Sequence, residues 1–312
     1  MTIFPKDTSK KTKPVSGSSD KTDAVVTPLI KACGYSAILF VLLIFFFLLR
    51  EGLSTFDEVS LSNLFSTRWY PTEGYYGIMP LLSGSLLVTA GATIFAVPIG
   101  LSIAIYLSEI APRWMRDILK PVIEILGGIP SVVLGFLGII ILSPALRNLL
   151  DLPTGLTVLA GSILLGAIAI PTIVSIAEDA LDAVPRSYRD AALALGATPW
   201  QTIWRVTLPA ARSGVLTAVM LGIGRTIGET MTVMMVTGNA AVMPEGWKSF
   251  LEPVRTMTAT IAAEMGEVAS GSTHYHVLFF IGIILFLISM AVNVIASLVV
   301  NRKQKRSERI LS

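Results

Sequence analysis

The chemically most demanding residues of this chain stand together in one apolar stretch, Gly224-Arg225-Thr226-Ile227-Gly228-Glu229-Thr230. A charge at membrane depth costs several kcal/mol unless it is paired or faces water, so Arg225 and Glu229 are candidates for function. Four residues apart, they share one helix face and can pair directly. A guanidinium offers planar, bidentate donors to an oxyanion, and the carboxylate would orient it or break the contact as a pathway changes state. The same two residues equally fit a structural ion pair between helices. Thr226 and Thr230 add hydroxyls to the candidate path, and Gly222, Gly224 and Gly228 permit close approach by another helix or a ligand. Glu124, beside Gly127, Gly128 and Pro130, is a second candidate buried carboxylate; near the inner interface it would instead pair with Lys120. His274 and His276 flank Tyr275 without further ligands, as in a solvated loop or an interfacial anchor, and no metal is expected. The lone Cys33 excludes an intrachain disulfide.

The elements that position these residues follow from composition. Hydrophobic residues make up 53% and charged residues 14%, against about 25% charged in a soluble domain, and the mean hydropathy is +0.72. The chain therefore reads as an all-α integral membrane protein. Six apolar stretches, approximately 29–49, 81–107, 118–142, 155–177, 213–236 and 277–300, reach the roughly 20 residues that a helix needs to cross a bilayer. Helices are expected because backbone groups in lipid must pair internally and these stretches lack a period of two. Pro98, Gly127, Gly128, Pro130 and Pro171 are expected to interrupt the second, third and fourth spans, as suits a bundle lining a pathway.

Eighteen Lys and Arg fall on the side shared by the two termini and five on the other, with Arg225 inside a span. The positive-inside rule then puts both termini in the cytoplasm of a multi-pass cytoplasmic-membrane protein. These basic residues are divided among span flanks without interleaved aromatics, so no nucleic-acid partner is implied. Residues 1–28, rich in Lys, Ser, Thr and Asp, are expected to form a disordered cytoplasmic tail, and 302–312 a basic one. The first apolar run starts too late, and is too long, for a cleaved signal peptide. Two long outer loops, 51–80 and 238–276, carry Trp69, Tyr70, Tyr75, Tyr76 and Trp247; these fit an interfacial aromatic belt or a surface receiving a soluble partner.

Between the fourth and fifth spans lies a charged loop, 178–212. Tyr188, Ala191, Ala192 and Leu195 form one apolar stripe on a short helix that Gly196 ends. Thr198, Pro199 and Gln201 read as N-cap, N1 and N3 of a second short helix with a capping box, which Pro209 stops. Such a knob would dock into a partner's groove or lie on the headgroups.

Asp190-Ala191-Ala192, Gly196, Leu208 and Pro209 match the spacing of the EAA motif, with Asp190 where Glu is usual and Val206 where Ile is usual, and the loop resembles the ATPase-docking loop of bacterial ABC importer membrane subunits. Arg189 and Ala197 flank the matched positions and belong to the same candidate docking surface. Residues 224–231 with Thr237-Gly238-Asn239, Gly127 to Val133, and Pro98 to Glu109 resemble the phosphate-specific importer permeases of the PstC type, over about residues 29 to 300. The resemblance implies a type I ABC importer permease fold with six transmembrane helices and short cytoplasmic coupling helices. It implies as partners a similar permease subunit (PstA type), a cytoplasmic ATPase dimer (PstB type) and a phosphate-binding protein (PstS type) outside the membrane. The chain lacks the Gly-x-x-x-x-Gly-Lys-Ser/Thr loop that cradles nucleotide phosphates, so ATP and Mg are expected on the ATPase partner and none on this chain. The residues alone leave open sulfate, molybdate or another oxyanion, the sister PstA-type subunit, and a membrane scaffold outside transport.

Overall fold

A computed structural model describes residues 19–311, with side chains from 26 to 298 except Ala296. The expected tail at 1–18 lies outside the described residues. Residues 19–28, expected to be disordered, instead begin α1 (Ser19–Leu53). Extending a formed helix avoids the cost of nucleation. The basic segment after 301 likewise continues the last helix. The chain divides into two units, up to Phe47 and from Leu48 onward. In the first, Ile38 to Ile44 and Phe46 are exposed apolar side chains, as a lipid-facing helix requires.

The second unit is a helical bundle: α2 (Met79–Ile105), α3 (Arg113–Gly128), α4 (Ser131–Leu137), α5 (Ser143–Leu149), α6 (Val158–Asp182), α7 (Arg186–Ala194), α8 (Pro199–Thr202), α9 (Arg212–Ile227), α10 (Met231–Val236), α11 (Met257–Glu264) and α12 (Thr273–Leu311). Small residues set its core. Ala92, Ala96 and Ala104 on α2, with Ala169 and Ala177 on α6, are buried, which lets these two helices pack closely along their length. Gly222 does the same for α9, since a Cβ there would come within 2.5 Å of Ile173 Cγ1.

Among the described residues, five helices are long and apolar enough to cross a membrane, and a sixth span is formed if Pro199–Ala210 and Arg212–Ile227, bent by 73°, count as one. The boundaries differ from the sequence expectation in two places. The third apolar span is Ser131–Leu149, because Pro130 separates α4 from the amphipathic α3, none of whose residues is fully buried. The fifth breaks at Gly228 instead of running to 236. Pro98 and Pro171, expected to interrupt their spans, lie inside continuous helices. Helix on both sides, packed against a neighbour, carries the cost of one lost hydrogen bond.

Proline acts differently where a helix can widen. Three π-helical turns, Tyr106–Ile110, Gly138–Leu142 and Ile203–Thr207, are each closed by a bond from the residue preceding a proline: Ala111 to Tyr106, Ser143 to Gly138 and Leu208 to Ile203. Pro112, Pro144 and Pro209 follow. Widening moves the carbonyl four residues back away from the proline ring, with which it would otherwise clash. Pro209 therefore does not stop its helix, as its type suggests; the stop comes at Ala211, where the chain turns into α9.

Trp69–Tyr70 and Tyr75–Tyr76 form an antiparallel hairpin, β1 and β2. It packs with Leu64, Ile78, Leu81, Met257, Leu278 and Ile281 in the largest apolar cluster.

Candidate docking loop and intramembrane charges

The loop between α6 and α9 is built from local rules. α7 ends as Gly196 takes φ +84° with open space around it, a conformation that L-residues other than glycine rarely adopt. The capping box forms: Gln201 N donates to Thr198 Oγ1 at 3.2 Å and Thr198 N to Gln201 Oε1 at 3.0 Å. Buried Ile203 and Thr207 anchor the second half of the loop. The apolar stripe then points outward, with Leu195 90% and Tyr188 49% exposed. Asp190, Ala191, Gly196 and Pro209 are exposed, whereas Ala192, Ala197 and Leu208 are half-buried. Trp200 and Trp204, stacked edge to face at 5.7 Å, add an exposed aromatic pair that the motif spacing did not single out.

Arg189 differs from the rest of the predicted docking set because it turns inward. Its Nη2 donates to Glu109 Oε1 at 2.6 Å and to Leu181 O at 2.9 Å, and its Nη1 to Val184 O at 2.9 Å. It ties α7 to the end of α6 and to the π turn following α2, so it positions the docking surface from behind.

Glu124 is exposed and does not pair with Lys120. The buried carboxylate is Glu178 on α6, its side chain 1% exposed. Arg116 Nη2 stands 2.5 Å from Glu178 Oε1 and Lys120 Nζ 2.6 Å from Oε2. Arg116 also pairs with Asp182, and Lys120 with Asp179 at 2.9 Å. Glu178 lay just past the expected end of the fourth span, where a carboxylate reads as a solvated flank. Its distance of about 60 residues from both cations hid the pairing from any local spacing rule.

The direct Arg225–Glu229 pair does not form. Among the described residues no ion pair joins them, because α9 ends at Ile227 and the four-residue spacing no longer lies on one helix. Arg225, exposed in this chain, donates through Nη1 to Thr172 Oγ1 and through Nη2 to Gly127 O, both at 3.1 Å. It thereby satisfies a C-terminal carbonyl of α3. Glu229 instead caps α10, accepting from Thr230 N at 3.2 Å and Thr232 N at 3.4 Å. Thr226 is buried and donates to Ile223 O, and Thr230 Oγ1 donates to Gly228 O. Of the four path candidates, only Arg225 presents an exposed charged group.

His274 Nε2 meets Glu264 Oε2 at 2.8 Å and His276 Nδ1 meets Glu58 Oε1 at 3.2 Å, so neither is a free loop residue. Buried Trp69 donates to Glu264. Burial first, then the charge of Glu58, pushes the Tyr76 phenol above its usual range. Tyr70, Tyr75 and Trp247 stay exposed, and Tyr70 and Tyr75, with Arg68 and Lys248, line an open cleft of about 810 Å³ between segments 67–75 and 241–252.

Residues 96–306 match the family of binding-protein-dependent transport system inner membrane components. The chain belongs to that family. This inner membrane component is 41% identical, over 84% of its length and 85% of the relative's, to a probable ABC transporter permease protein, YqgH, of Bacillus subtilis. It is 32% identical to the phosphate transport system permease protein PstC of Xylella fastidiosa, over 98% of both chains. In fold it is similar to a chain of a bacterial alginate ABC transporter solved with its pentasaccharide-bound periplasmic protein, with a TM-score of 0.61 and 13% identity over 88% of this chain and 93% of that one. A chain of an inward-facing methionine ABC transporter gives a TM-score of 0.55 at 22% identity, over 70% and 92%. The multi-pass membrane architecture is therefore that of an ABC importer permease.

Proposed function

We propose that this chain is the membrane subunit through which an ATP-driven importer passes inorganic phosphate into the cytoplasm. The similarity to PstC-type permeases along the whole chain supports phosphate as the cargo. The observation that carries the mechanism is the docking loop. A preformed, outward-facing apolar stripe on a capped and inwardly anchored scaffold is what a soluble ATPase needs to grip without first ordering it.

Transport then proceeds in four parts. A phosphate-binding protein delivers its cargo at the outer cleft, whose exposed tyrosines, Trp247 at its edge, and charges of both signs suit a protein surface better than a bare anion. A second, similar permease covers the exposed face of this one. Arg225 spends two of its five N–H donors on Thr172 and Gly127, which orients the remainder for an oxyanion crossing between the subunits. ATP and Mg act on an ATPase dimer, whose closure is passed through residues 186–210 as a rigid-body switch. This chain itself supplies binding and motion and no catalytic step. With eighteen basic residues on the side of the termini against five, both termini lie in the cytoplasm.

The test is uptake of labelled phosphate by vesicles holding the complete importer, with ATP inside and binding protein outside. Uptake requiring both, and resistant to excess sulfate, is the expected result. Equal competition by sulfate would overturn the assignment of phosphate.

A further inference from the structure

We propose that Arg116, Lys120 and Glu178 are positioning residues that make α3 a transmission strut, carrying movement of the docking loop to Arg225. The inference rests on the reading that the 186–210 loop seats an ATPase.

The contacts are continuous. Arg189 on α7 grips Leu181 O and Val184 O at the end of α6 and is held by Glu109. One turn earlier on α6, Glu178 is held by Arg116 and Lys120 of α3. Ser108 Oγ, in the same π turn as Glu109, donates to Asp182 at 2.7 Å, and Asp182 also pairs with Arg116. The segment 178–184 is thus clamped from the docking side by α7 and from the membrane side by α3. At its other end α3 offers Gly127 O to Arg225. Arg116 and Gly127 lie eleven residues apart, about 16 Å along a helix, so displacement at the clamp reaches the guanidinium through one continuous helix, which accommodates Pro121 within it.

Apolar packing alone does not account for this arrangement. No residue of α3 is fully buried, half-buried Met115, Leu119 and Ile123 give it only a narrow apolar face, and the helix ends at the Ile129-Pro130 break. To that face its attachment adds the charges and a Tyr106–Met115 contact at one end and the Arg225 bond at the other. A buried carboxylate with two cations is a costly way to hold two helices together, since apolar residues of similar volume usually do so as well or better. What the ionic clamp adds is a fixed register that can switch as a unit. The outcome is a two-state element biased by the docking loop, the physical requirement for coupling between distant sites.

The experiment uses the complete importer in lipid nanodiscs and compares Glu178→Gln, Arg116→Gln and Lys120→Gln with wild type. Three quantities are read: co-purification of the ATPase, basal ATP hydrolysis, and hydrolysis stimulated by phosphate-loaded binding protein. Co-purification and basal hydrolysis should stay within about twofold, while stimulation and phosphate uptake fall about tenfold or more in Glu178→Gln and less in the two variants that leave one cation in place. Asp117→Asn, exposed on the same helix, should match wild type. If Glu178→Gln alone fails to assemble, the two single-cation variants decide. Stimulation within twofold of wild type in the assembling variants overturns the strut, as does failure of all three to assemble or loss of stimulation only together with ATPase binding. Failure of the docking reading is separate: Gly196→Val that still retains the ATPase and transports would reject the loop as the seat, whatever the clamp variants do.

Discussion

In the loop from Arg186 to Ala210 the backbone is fixed from within, by Gly196 at positive φ, by the Thr198–Gln201 box and by a π turn accommodating Pro209. In the segment from Gly224 to Thr232 other elements contribute. Arg225 hangs on Thr172 and Gly127, residues of two other elements, and the Glu229 backbone carbonyl accepts from Thr258 of α11. The first region can present its surface unchanged to a partner. In the second, Glu229 caps α10 from within, but Arg225 is held by other elements, so a shift of α3 or α6 moves the guanidinium. On the proposed function, the first region would be the handle and the second would respond to the state of the bundle, a division of labour that suits alternating access.

The sharpest way to break this contrast is Gly196→Val. A β-branched residue in the left-handed region costs roughly 1–2 kcal/mol or more, and the loop has no alternative turn. ATPase co-purification and phosphate uptake should both be lost, with the membrane bundle still folded by its circular dichroism. A variant that retains both would show that the handle is not preformed.

Arg225→Gln should lower uptake about tenfold or more while leaving assembly and ATPase docking intact. Because Arg225 and Glu229 have separate partners, Arg225→Gln and Glu229→Gln should combine with a coupling of less than about 0.5 kcal/mol. A double variant that recovers uptake relative to either single one would instead mean that the two charges neutralise each other, and would erase the distinction between the regions.

Thr198→Ala removes one half of the capping box, worth about 1 kcal/mol. Amide exchange at residues 200–203 should accelerate roughly fivefold, with uptake little changed, as measured by hydrogen–deuterium exchange of the intact importer. Exchange that stays slow would mean that contacts beyond the loop hold it. The smallest effect is expected for Glu124→Gln, exposed on α3, with uptake within about twofold of wild type; a large loss would restore Glu124 as a member of the intramembrane charge set.

The sequence by itself determined the solvent of this protein and the form of its docking loop. Span length and charge asymmetry are simple sums along the chain, and the Gly196 turn and the capping box depend on residues within one or two helical turns, where propensity and spacing act directly. Only the tertiary structure decided which charges meet. Arg225 bonds to residues 53 and 98 positions away, and Arg189 to a glutamate 80 positions away. Glu178 replaces Glu124 as the buried carboxylate because α6 faces the cations of α3. The four-residue rule failed at Arg225 and Glu229 because it holds only while the helix continues, and Gly228 ends it. In a low-dielectric interior a buried charge must find a partner wherever the packing supplies one, and packing is set by the whole bundle.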